Sequence, residues 1–517
     1  MHEPLLDIEH LSVSFGEAQV LSHFSLRLNA GEIVGVVGES GSGKSVAAQW
    51  AMGLLSRRAR TTVSAARLFG VPYHEMDAAR WCAVRGNDLA FVFQDPMTAL
   101  HPSKRIGVQL EEVLRQHTAL DAAERTQRCL RALQEVEIDQ PEVSMQKYPH
   151  QLSGGQQQRI VIAMALLLDP KLIIADEPTT ALDKEVEGVV LALLMRLVKE
   201  RGCAMWFISH DLELVAHIAH RVVVMYQGQT VEQGPADQVF RAPTHPYTRA
   251  LLQCRPPQSG RPYPLPTLQD LLDGRAPEQG SLPSAKNEEL VLELEQVSLG
   301  YWQRKGFRKH YKEVIRGLDL HLYKGEVLGL IGPSGSGKSS LGRAIVGLNA
   351  FSAKRFTVNG AQRSTEEVRR SVQFIFQDPF GSLNAGRKVG AALADVLAVH
   401  QPKLRRVERE QRVASLLEEV GLAASDAQKF PSQFSGGQRQ RIGIARALAA
   451  EPEILICDES VSALDVSVQS QVLNVLNRIK QQRGLSMIFI SHDPDVVRYM
   501  CDRVLDLGTL QPALRLP

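Results

Sequence analysis

The 517-residue sequence has no stretch approaching 18 uninterrupted apolar residues, so it predicts no helix that spans a bilayer. An excess of one charge is also lacking, because 59 Lys and Arg face 57 Asp and Glu and the formal net charge is only +2. This balance predicts no broad basic surface for nucleic acid or anionic lipid. The start, MHEPLLDIEH, has three acids and no apolar core region, which predicts no signal peptide.

Cysteine is scarce, and the six cysteines form no CxxC pair. Several lie in apolar runs, such as Cys457 in ILICDES, which favours buried thiols in a reducing compartment over disulfides or a metal site. The chain is therefore predicted to be a soluble cytoplasmic protein. Its hydrophobic content of 44% is enough for several cores.

The sequence contains two copies of one pattern, each about 230 residues long. LSGGQQQR at 152–159 returns as FSGGQRQR at 434–441, and LIIADEPTTALD at 172–183 returns as ILICDESVSALD at 454–465. From the first of these motifs onward the two copies stay 282 positions apart. A repeat of this length far exceeds a solenoid unit, so it predicts two whole domains.

The predicted domains are residues 1–253 and 289–517. The stretch 254–288 between them is rich in Pro, Gly and Ser and is predicted to be an extended linker. A proline-rich ligand for another protein is the alternative for this stretch. The second copy ends without a counterpart of HPYTRALL, which stands at 245–252 in the first copy.

Short apolar runs alternate with helical patterns in both copies. EIVGVVG and EVLGLIG are typical of buried strands that end at a glycine loop, and RIVIAMALLL and RIGIARALAA suit helices. The pattern predicts an α/β fold with a mostly parallel sheet in each half. Functional sites are expected at the carboxyl ends of the strands.

Both halves carry G-x-x-x-x-G-K-S between a predicted strand and a predicted helix, which is the pattern of a loop that binds a polyphosphate. Backbone N–H groups of such a loop surround the phosphates, the lysine reaches the β- and γ-phosphates, and the serine hydroxyl binds Mg²⁺. The candidate residues are Gly38, Ser40, Gly41, Gly43, Lys44 and Ser45 in the first copy, and Gly332, Ser334, Gly335, Gly337, Lys338 and Ser339 in the second.

Each half also has two acids at the end of an apolar strand. Because successive strand side chains point in opposite directions, one acid is expected to address the metal while its neighbour polarises the attacking water. A histidine that follows another strand is predicted to contact the γ-phosphate. A glutamine that follows a third strand is predicted to contact Mg²⁺ or water. A purely structural role is the alternative for both residues. The candidates are Asp176, Glu177, His210 and Gln94 in the first copy, and Asp458, Glu459, His492 and Gln377 in the second.

In this order, and twice over, these motifs together with SGGQ and ALD resemble the ATP-binding subunits of ABC transporters. The resemblance implies two tandem nucleotide-binding domains, each with a mostly parallel core sheet, an antiparallel β-subdomain and a helical subdomain. It also implies that the two domains pair head to tail, with each SGGQ helix start facing the other domain's ATP. The signature residues are Ser153, Gly154, Gly155 and Gln156, and Ser435, Gly436, Gly437 and Gln438.

The helix starts of the signature motif present N–H groups and a positive dipole end to a γ-phosphate, and glycine is expected there because a Cβ would hold the backbone away. The implied composite sites join Lys44, Asp176, Glu177 and His210 to Ser435–Gly437, and Lys338, Asp458, Glu459 and His492 to Ser153–Gly155. Asp183 and Asp465 resemble the family's D-loop residues. Since both sets are complete, two hydrolytic sites are predicted.

Phe15 and Tyr301 occupy the same position of the repeat and are predicted to stack on adenine, as an aromatic residue does in the family. A strand residue that faces the core is the alternative for both. The second copy has a longer loop here, containing QRKGFRKHYK, which is interpreted as a solvated insertion. Contact with a membrane subunit or with phospholipid headgroups is the alternative for that basic stretch.

QDPMTALHPS, QDPFGSLN and HPYTRALL resemble the oligopeptide, dipeptide and nickel importer branch, and the fused arrangement resembles the glutathione and microcin C importer ATPases. The resemblance implies import of peptide-like solutes, with two membrane permeases and a periplasmic or lipid-anchored binding protein as partners. It places the protein at the cytoplasmic face of the bacterial inner membrane. The regions from Gln94 to Ser153 and from Gln377 to Ser435 are expected to contact the permeases.

Some relatives carry a four-cysteine iron–sulphur cluster after HPYT, but only Cys254 is near that segment, so no cluster is predicted. The main alternatives are a duplicated ATPase acting on ribosomes or DNA, an efflux ATPase, and a scaffold without catalysis. A short proline-rich linker, the absence of zinc-ligand cysteines and the intact Glu177 and Glu459 argue against the first and last of these. No nucleic-acid partner is predicted.

Overall fold

The computed structural model divides the chain into two compact units, Met1–Gln253 and Cys254–Pro517, which we call the first lobe and the second lobe. The structure describes residues 3–179, 184–257, 259–275, 280–283, 287–305, 308–333, 335–378, 381–461, 464–509 and 514–515. Two of the predicted site residues, Asp183 and Ser334, lie outside the described residues.

The first lobe alternates strands and helices along the chain. Its strands are β1 Leu6–Phe15, β2 Ala18–Leu28, β3 Ile33–Val37, β4 Ala59–Thr62, β5 Ala65–Leu68, β6 Val71–Pro72, β7 Leu89–Val92, β8 Leu172–Asp176, β9 Ala204–Ile208, β10 Arg221–Tyr226 and β11 Gln229–Pro235. Its helices are α1 Lys44–Ala51, α2 Ala78–Val84, α3 Pro96–Ala99, α4 Ile106–His117, α5 Ala122–Glu135, α6 Pro141–Met145, α7 Gly154–Leu166, α8 Lys184–Arg201, α9 Leu212–Ile218, α10 Ala236–Arg241 and α11 Pro246–Gln253.

The second lobe repeats this order after a short additional segment. Its strands are β12 Pro262–Tyr263, β13 Gly280–Ser281, β14 Leu290–Lys305, β15 Arg308–Tyr323, β16 Val327–Ile331, β17 Arg355–Val358, β18 Val372–Ile375, β19 Ile454–Asp458, β20 Ser486–Ile490, β21 Arg503–Asp506 and β22 Leu514–Arg515. Its helices are α12 Leu268–Leu272, α13 Lys338–Ile345, α14 Thr365–Ser371, α15 Val389–His400, α16 Arg406–Glu419, α17 Gly436–Leu448, α18 Val466–Arg483 and α19 Pro494–Met500.

Each lobe is built on a six-stranded sheet of the same topology. The strand order is β11-β10-β3-β9-β8-β7 in the first lobe and β22-β21-β16-β20-β19-β18 in the second. All neighbours pair in parallel except the last pair at one edge, β10–β11 and β21–β22. The central strands β8, β9, β19 and β20 are buried along their whole length, which explains their continuous apolar runs. The predicted α/β fold with a mostly parallel core sheet is confirmed.

A second, antiparallel sheet covers the start of each lobe. In the first lobe β1 pairs with β2, β4 and β5, and in the second lobe β14 pairs with β15 and β17. Strands β14 and β15 have 16 residues each, against 10 and 11 for β1 and β2. The basic insertion of the second copy therefore lengthens a β-hairpin, in which Trp302 is 70% exposed and lies opposite Tyr311.

A helical part is inserted between two neighbouring strands of each core sheet, β7 and β8 in the first lobe and β18 and β19 in the second. It contains α4, α5 and α6 in the first lobe and α15 and α16 in the second. These helices are amphipathic: α5, for example, buries Cys129, Ala132 and Leu133, and its first turn is closed by a capping box between Asp121 and Glu124. The chain returns from this part to the sheet through α7 or α17.

Part of the segment predicted as an extended linker is instead packed on the second lobe. We call residues 259–275 and 280–283 the strap. Its two short strands, β12 and β13, pair with each other, and Leu265 and Leu282 are buried in the apolar core that also contains α15, α16 and α18. Asn474 on α18 binds both backbone groups of Leu265, at 2.8 Å each. The Pro- and Gly-rich composition permitted an irregular path without preventing these side chains from docking.

Arg261 fixes the other end of the strap. Its guanidinium donates to the carbonyl oxygens of Tyr499 and Met500 and forms a 2.7 Å ion pair with Asp502, which is nearly buried. The second oxygen of Asp502 accepts from the N–H of Val327 and lies 3.4 Å from Lys480. At the positions 282 residues earlier the first lobe has Ala192, Val198 and His220 in place of Asn474, Lys480 and Asp502. The two side chains that bind the strap, Asn474 and Asp502, are therefore specific to the second lobe, as is the lysine beside Asp502.

Candidate functional site

The phosphate-loop motif of the first lobe joins β3 to α1, as predicted. Lys44 is buried at the start of α1, and its ammonium group donates to the carbonyl oxygens of Gly38 and Glu39 at 2.7 and 2.8 Å. Gly38 has a φ of +149°, and a Cβ there would lie 2.2 Å from the carbonyl oxygen of Met225. The loop therefore requires glycine at this point for both conformation and space.

The second lobe repeats this arrangement between β16 and α13. Lys338 donates to the carbonyl oxygens of Gly332 and Pro333 at 2.6 and 2.9 Å. Gly332 again has a positive φ, +138°. The two loops thus hold their lysines in the same way, although the residue after the first glycine is Glu39 in one lobe and proline in the other.

A serine and an aspartate meet at the end of each loop. Ser45 donates to Asp176 at 3.0 Å, and Ser339 donates to Asp458 at 2.7 Å. Burial raises the pKa of both carboxyl groups above the usual range, and the hydrogen bond from the serine opposes this shift.

The second oxygen of Asp458 is buried and has no hydrogen-bond partner among the described residues. A hydroxyl and a buried carboxylate with an unused oxygen are hard oxygen ligands of the kind that Mg²⁺ binds. The residues present therefore fit this ion.

The acid that follows each aspartate has left the strand. Glu177 has a φ of +46°, and its N–H donates to the carbonyl oxygen of Ile208 on β9. Glu459 has the same φ and makes the equivalent bond to Ile490 on β20. The sequence-based expectation that strand alternation separates the two acids is therefore wrong in its reason: a left-handed backbone turn separates them. A non-glycine residue held there is strained, as residues at functional sites often are.

Two other predicted site residues of the first lobe contact the carboxylate of Glu177. Gln94 donates to it at 3.0 Å, and Nδ1 of His210 lies 3.3 Å from it. In the second lobe Gln377 donates to Glu459 at 2.6 Å, and Nδ1 of His492 lies 3.4 Å away. The structure thus brings the glutamine, glutamate and histidine of each copy together, beside the serine–aspartate pair.

The SGGQ motif begins α7 in the first lobe and α17 in the second, and each start is a capping box. Ser153 accepts from the N–H of Gln156 at 3.3 Å, and the side chain of Gln156 accepts from the N–H of Ser153 at 3.1 Å. Ser435 and Gln438 make the same pair of bonds at 3.3 and 3.0 Å. The S-x-x-Q spacing is itself the signal of this cap, which the sequence analysis did not use.

The second glycine of each signature motif has a packing role. A Cβ on Gly155 would lie 2.4 Å from Val186 on α8, and one on Gly437 would lie 1.9 Å from Val468 on α18. The sequence-based prediction gave close approach of the backbone to phosphate as the reason for glycine, and the structure adds packing against α8 and α18 as a second reason. Gly436, by contrast, has open space around its Cβ position, with no atom nearer than Leu464 at 3.9 Å.

The two aromatic residues predicted to contact adenine differ in their surroundings. Phe15 is half-buried and packs against the apolar core of the first lobe, as the alternative interpretation expected. Tyr301 is 39% exposed, and its hydroxyl accepts from the amide of Asn349, which follows the helix of the phosphate loop. Asp465 lies at the N-cap of α18. Stacking on adenine remains a prediction for Phe15 and Tyr301, and a D-loop role at the interface of the two domains remains a prediction for Asp465.

The geometry agrees with what the chain resembles. A family model described as ABC transporter matches residues 21–180 and again 315–462, which together are more than half of the chain. The chain belongs to the ABC transporter family. Its two lobes are the duplicated ATPase domains of this family, which bind ATP and couple its hydrolysis to transport, and family membership implies membrane permeases as partners.

Further matches concern the branch of the family. Residues 231–274 match the model described as oligopeptide/dipeptide transporter, C-terminal region. The chain is 41% identical to the uncharacterized ABC transporter ATP-binding protein YejF of Escherichia coli K12, over 98% of this chain and 94% of that protein. It is 40% identical to the peptidoglycan transport ATP-binding protein YejF of Agrobacterium fabrum (97% and 91%) and 40% identical to the glutathione import ATP-binding protein GsiA of Escherichia coli K12 (97% and 84%).

Among solved structures, the complex of the archaeal ribosome recycling factor aABCE1 with the stalk protein aP1 matches 94% of this chain and 84% of that chain. The TM-score is 0.57 and the sequence identity is 18%, so the likeness concerns the fold alone. Among the described residues, none of the helices combines the length and the apolar character needed to cross a membrane.

Proposed function

We propose that this ABC transporter ATPase drives the import of peptide-like solutes and that both of its nucleotide sites hydrolyse ATP. The observation that supports two active sites is the duplication of the whole contact set. Each lobe has a lysine on the phosphate-loop carbonyls, a serine–aspartate pair and a glutamate contacted by glutamine and histidine. A degenerate site would be expected to lack at least one of these contacts.

In the proposed mechanism, Lys44 leaves the carbonyls of its own loop and binds the β- and γ-phosphates of ATP. Gln94 and Glu177 hold the attacking water, which adds to the γ-phosphorus while its proton passes to Glu177 and ADP leaves. His210 positions Glu177 and binds the γ-phosphate. Mg²⁺, held by Ser45 and Asp176, supplies charge neutralisation on the phosphate oxygens when bound. Lys338, Ser339, Gln377, Asp458, Glu459 and His492 have the same roles in the second lobe.

We also propose that each signature motif serves the nucleotide of the other lobe. Ser153, Gly154 and Ser435 are exposed at the starts of α7 and α17, where helix N–H groups favour an anion. ATP would then hold the lobes together until hydrolysis removes the γ-phosphate. Cross-linking of a cysteine at Ser153 to one near Gly335, dependent on ATP, tests this pairing.

The predicted permease contacts are supported by apolar side chains that the helical parts expose. In the first lobe Val108 and Val143 are 43% and 49% exposed, and Met97 on the preceding helix α3 is 55% exposed. Helices α15 and α16 of the second lobe contribute Val399 and Val407, at 74% and 63%. Single exposed apolar residues are common on protein surfaces, so these side chains support a permease contact only together with the resemblance to the importer branch. We propose two permeases, one for each of these surfaces, and a location on the cytoplasmic face of the bacterial inner membrane.

The solute class follows from the relatives. Glutathione is a tripeptide, and peptidoglycan carries peptide stems, so the two transport proteins named above share peptide chemistry in their substrates. Together with the oligopeptide/dipeptide match, this supports an importer rather than an efflux, ribosomal or DNA-acting ATPase. A periplasmic or lipid-anchored solute-binding protein is the further partner that we propose.

Two-site hydrolysis is tested by changing the proposed general bases one at a time. We expect Glu177→Gln and Glu459→Gln each to remove at least half of the ATP turnover, and the double variant to lower it by about 100-fold or more. Glu75→Gln and Glu366→Gln, two exposed acids in the first and second lobes, are the matched controls. Full turnover in either single variant contradicts two-site hydrolysis.

Transport is tested in a strain that lacks this chain. Uptake of labelled di- to heptapeptides is expected to be lost and to return with the wild-type chain but not with the Glu177→Gln, Glu459→Gln variant. Unchanged peptide uptake in the deletion strain contradicts the proposed solute class. Co-purification of ribosomes or DNA in place of membrane proteins contradicts the transport function itself.

A further inference from the structure

The last helix of the first lobe touches the phosphate loop. Tyr247, the third residue of HPYT, is fully buried on α11, and its ring stacks on Tyr226 with centroids 4.2 Å apart. Its hydroxyl oxygen accepts a hydrogen bond of 3.2 Å from the backbone N–H of Glu39. Glu39 follows Gly38 in the phosphate loop, more than 200 positions earlier in the chain.

The HPYT segment is held firmly enough to position this hydroxyl. Glu232 on β11 accepts from the N–H and the hydroxyl of Thr244 at 2.7 and 2.8 Å, and from the N–H of His245 at 3.2 Å. Nδ1 of His245 in turn accepts from the N–H of Tyr247. Threonine and histidine thus fix the start of α11, and Tyr247 extends from that fixed start to the loop.

Tyr247 and Lys44 grip the same peptide group from opposite sides. The carbonyl of Gly38 accepts from Lys44, while the N–H on the other side of that peptide bond, which belongs to Glu39, donates to Tyr247. Because a trans peptide is planar, its C=O and N–H point in opposite directions, and fixing both fixes the plane. If Lys44 gives up this carbonyl when it binds phosphate, as proposed above, the bond to Tyr247 is the one of these two that remains.

The second lobe differs at the loop end of this contact. The residue equivalent to Glu39 is Pro333, which has no N–H to donate. A proline ring restrains its own φ covalently, so the second loop is stiffened at the same position by a different means. The hydrogen bond that Glu39 donates to Tyr247 therefore has no equivalent at Pro333.

We propose that Tyr247 is a positioning residue of the first ATP site, which holds the Gly38–Glu39 peptide so that the phosphate loop is preorganised for nucleotide. The HPYT segment is then part of that site, and Pro333 has the corresponding function in the second lobe. The inference rests on the proposed binding of ATP phosphates by this loop. Holding a loop in its bound form strengthens binding by reducing the cost of ordering it.

The test uses the full-length chain with Lys338→Ala, which weakens nucleotide binding in the second lobe, and measures the dissociation constant of a fluorescent ATP analogue. Tyr247→Phe keeps the stacked ring and removes the hydroxyl, and we expect binding about 3- to 10-fold weaker, as for the loss of one hydrogen bond. Tyr226→Phe is the matched control, because its ring stays in the same stack, and we expect unchanged binding.

Glu39→Pro copies the second lobe and removes the donor. We expect Tyr247→Phe to have no further effect on binding in the Glu39→Pro background. Affinity unchanged by Tyr247→Phe alone, or an equal loss in both backgrounds, overturns the proposal.

If Glu39→Pro does not fold, hydrogen exchange of residues 38–44 tests the proposal instead. We expect this exchange to be faster in Tyr247→Phe than in the wild type, and an unchanged rate overturns the proposal. Lys44→Ala separates the two hypotheses: if it leaves binding intact, the proposed function of the loop fails, whereas lost binding with an inert Tyr247→Phe refutes only the positioning role.

Discussion

Replacing Arg261 by methionine is expected to release the strap from the second lobe. The change keeps most of the aliphatic stem and removes the guanidinium, which donates to Tyr499 and Met500 and pairs with Asp502. Hydrogen bonds to charged groups contribute about 1.5–3 kcal/mol each and are not additive. Removing one partner of a buried pair costs about 3–5 kcal/mol when the other charge is left alone.

The expected cost of Arg261→Met is lower than that upper range, because Asp502 keeps Lys480 at 3.4 Å and the N–H of Val327 at 2.9 Å. We therefore expect a loss of about 2–3 kcal/mol in the free energy of docking the strap. Since about 1.4 kcal/mol is a factor of ten, amide hydrogens of the strap are expected to exchange roughly 30- to 150-fold faster.

Hydrogen exchange followed by mass spectrometry measures this rate at two backbone amides of the strap whose hydrogen-bond acceptors are known. The N–H of Leu265 donates to Asn474, and the N–H of Leu282 donates to the carbonyl of residue 261 itself. Arg275→Met, in an exposed arginine of the same segment, is the control and is expected to change neither. Exchange at Leu265 and Leu282 as slow as in the wild type would refute the argument that Arg261 holds the strap.

Two further predictions follow from packing and from burial. Gly155→Ala is expected to lower the free energy of unfolding of the first lobe by about 1–3 kcal/mol in urea, because its Cβ would lie 2.4 Å from Val186. Adding Val186→Ala is expected to restore most of this loss. An unchanged free energy of unfolding in Gly155→Ala would contradict the packing role. Iodoacetamide at pH 8 is expected to label the exposed Cys82 and not Cys457. Burial raises the pKa of the Cys457 thiol to about 12, so the reactive thiolate is absent at pH 8. Labelling of Cys457 in the folded protein would contradict its burial.

Much of the fold could be predicted from the sequence because the signals were local and repeated. Apolar runs such as LIIAD and AMWFI are the buried strands β8 and β9, and the glycine-rich loops lie between strand and helix in both lobes. The residues expected to act together, such as Gln94, Glu177 and His210, do converge, since the carboxyl ends of parallel strands meet at one edge of a sheet.

What could not be predicted depends on contacts between residues far apart in the chain. Strand alternation was expected to separate Asp176 from Glu177, but a left-handed turn bound to β9 does so. The need for Gly155 comes from Val186, and the contact of Tyr247 with Glu39 spans the whole lobe. Periodicity carries no information about such contacts. The capping box at Ser153 is different, because the local S-x-x-Q spacing could have predicted it.

The docked strap decides where this polypeptide can be divided. A fragment that begins at residue 289 omits Leu265, Leu282 and Arg261. It leaves the apolar surface on which the two leucines pack uncovered, beside the buried Asp502 and the partly buried Lys480. Such a fragment is expected to aggregate, since exposed apolar area promotes association. A fragment that begins before residue 259 keeps the strap on this apolar surface. Dividing the chain there is therefore the better way to produce each half as an independent polypeptide.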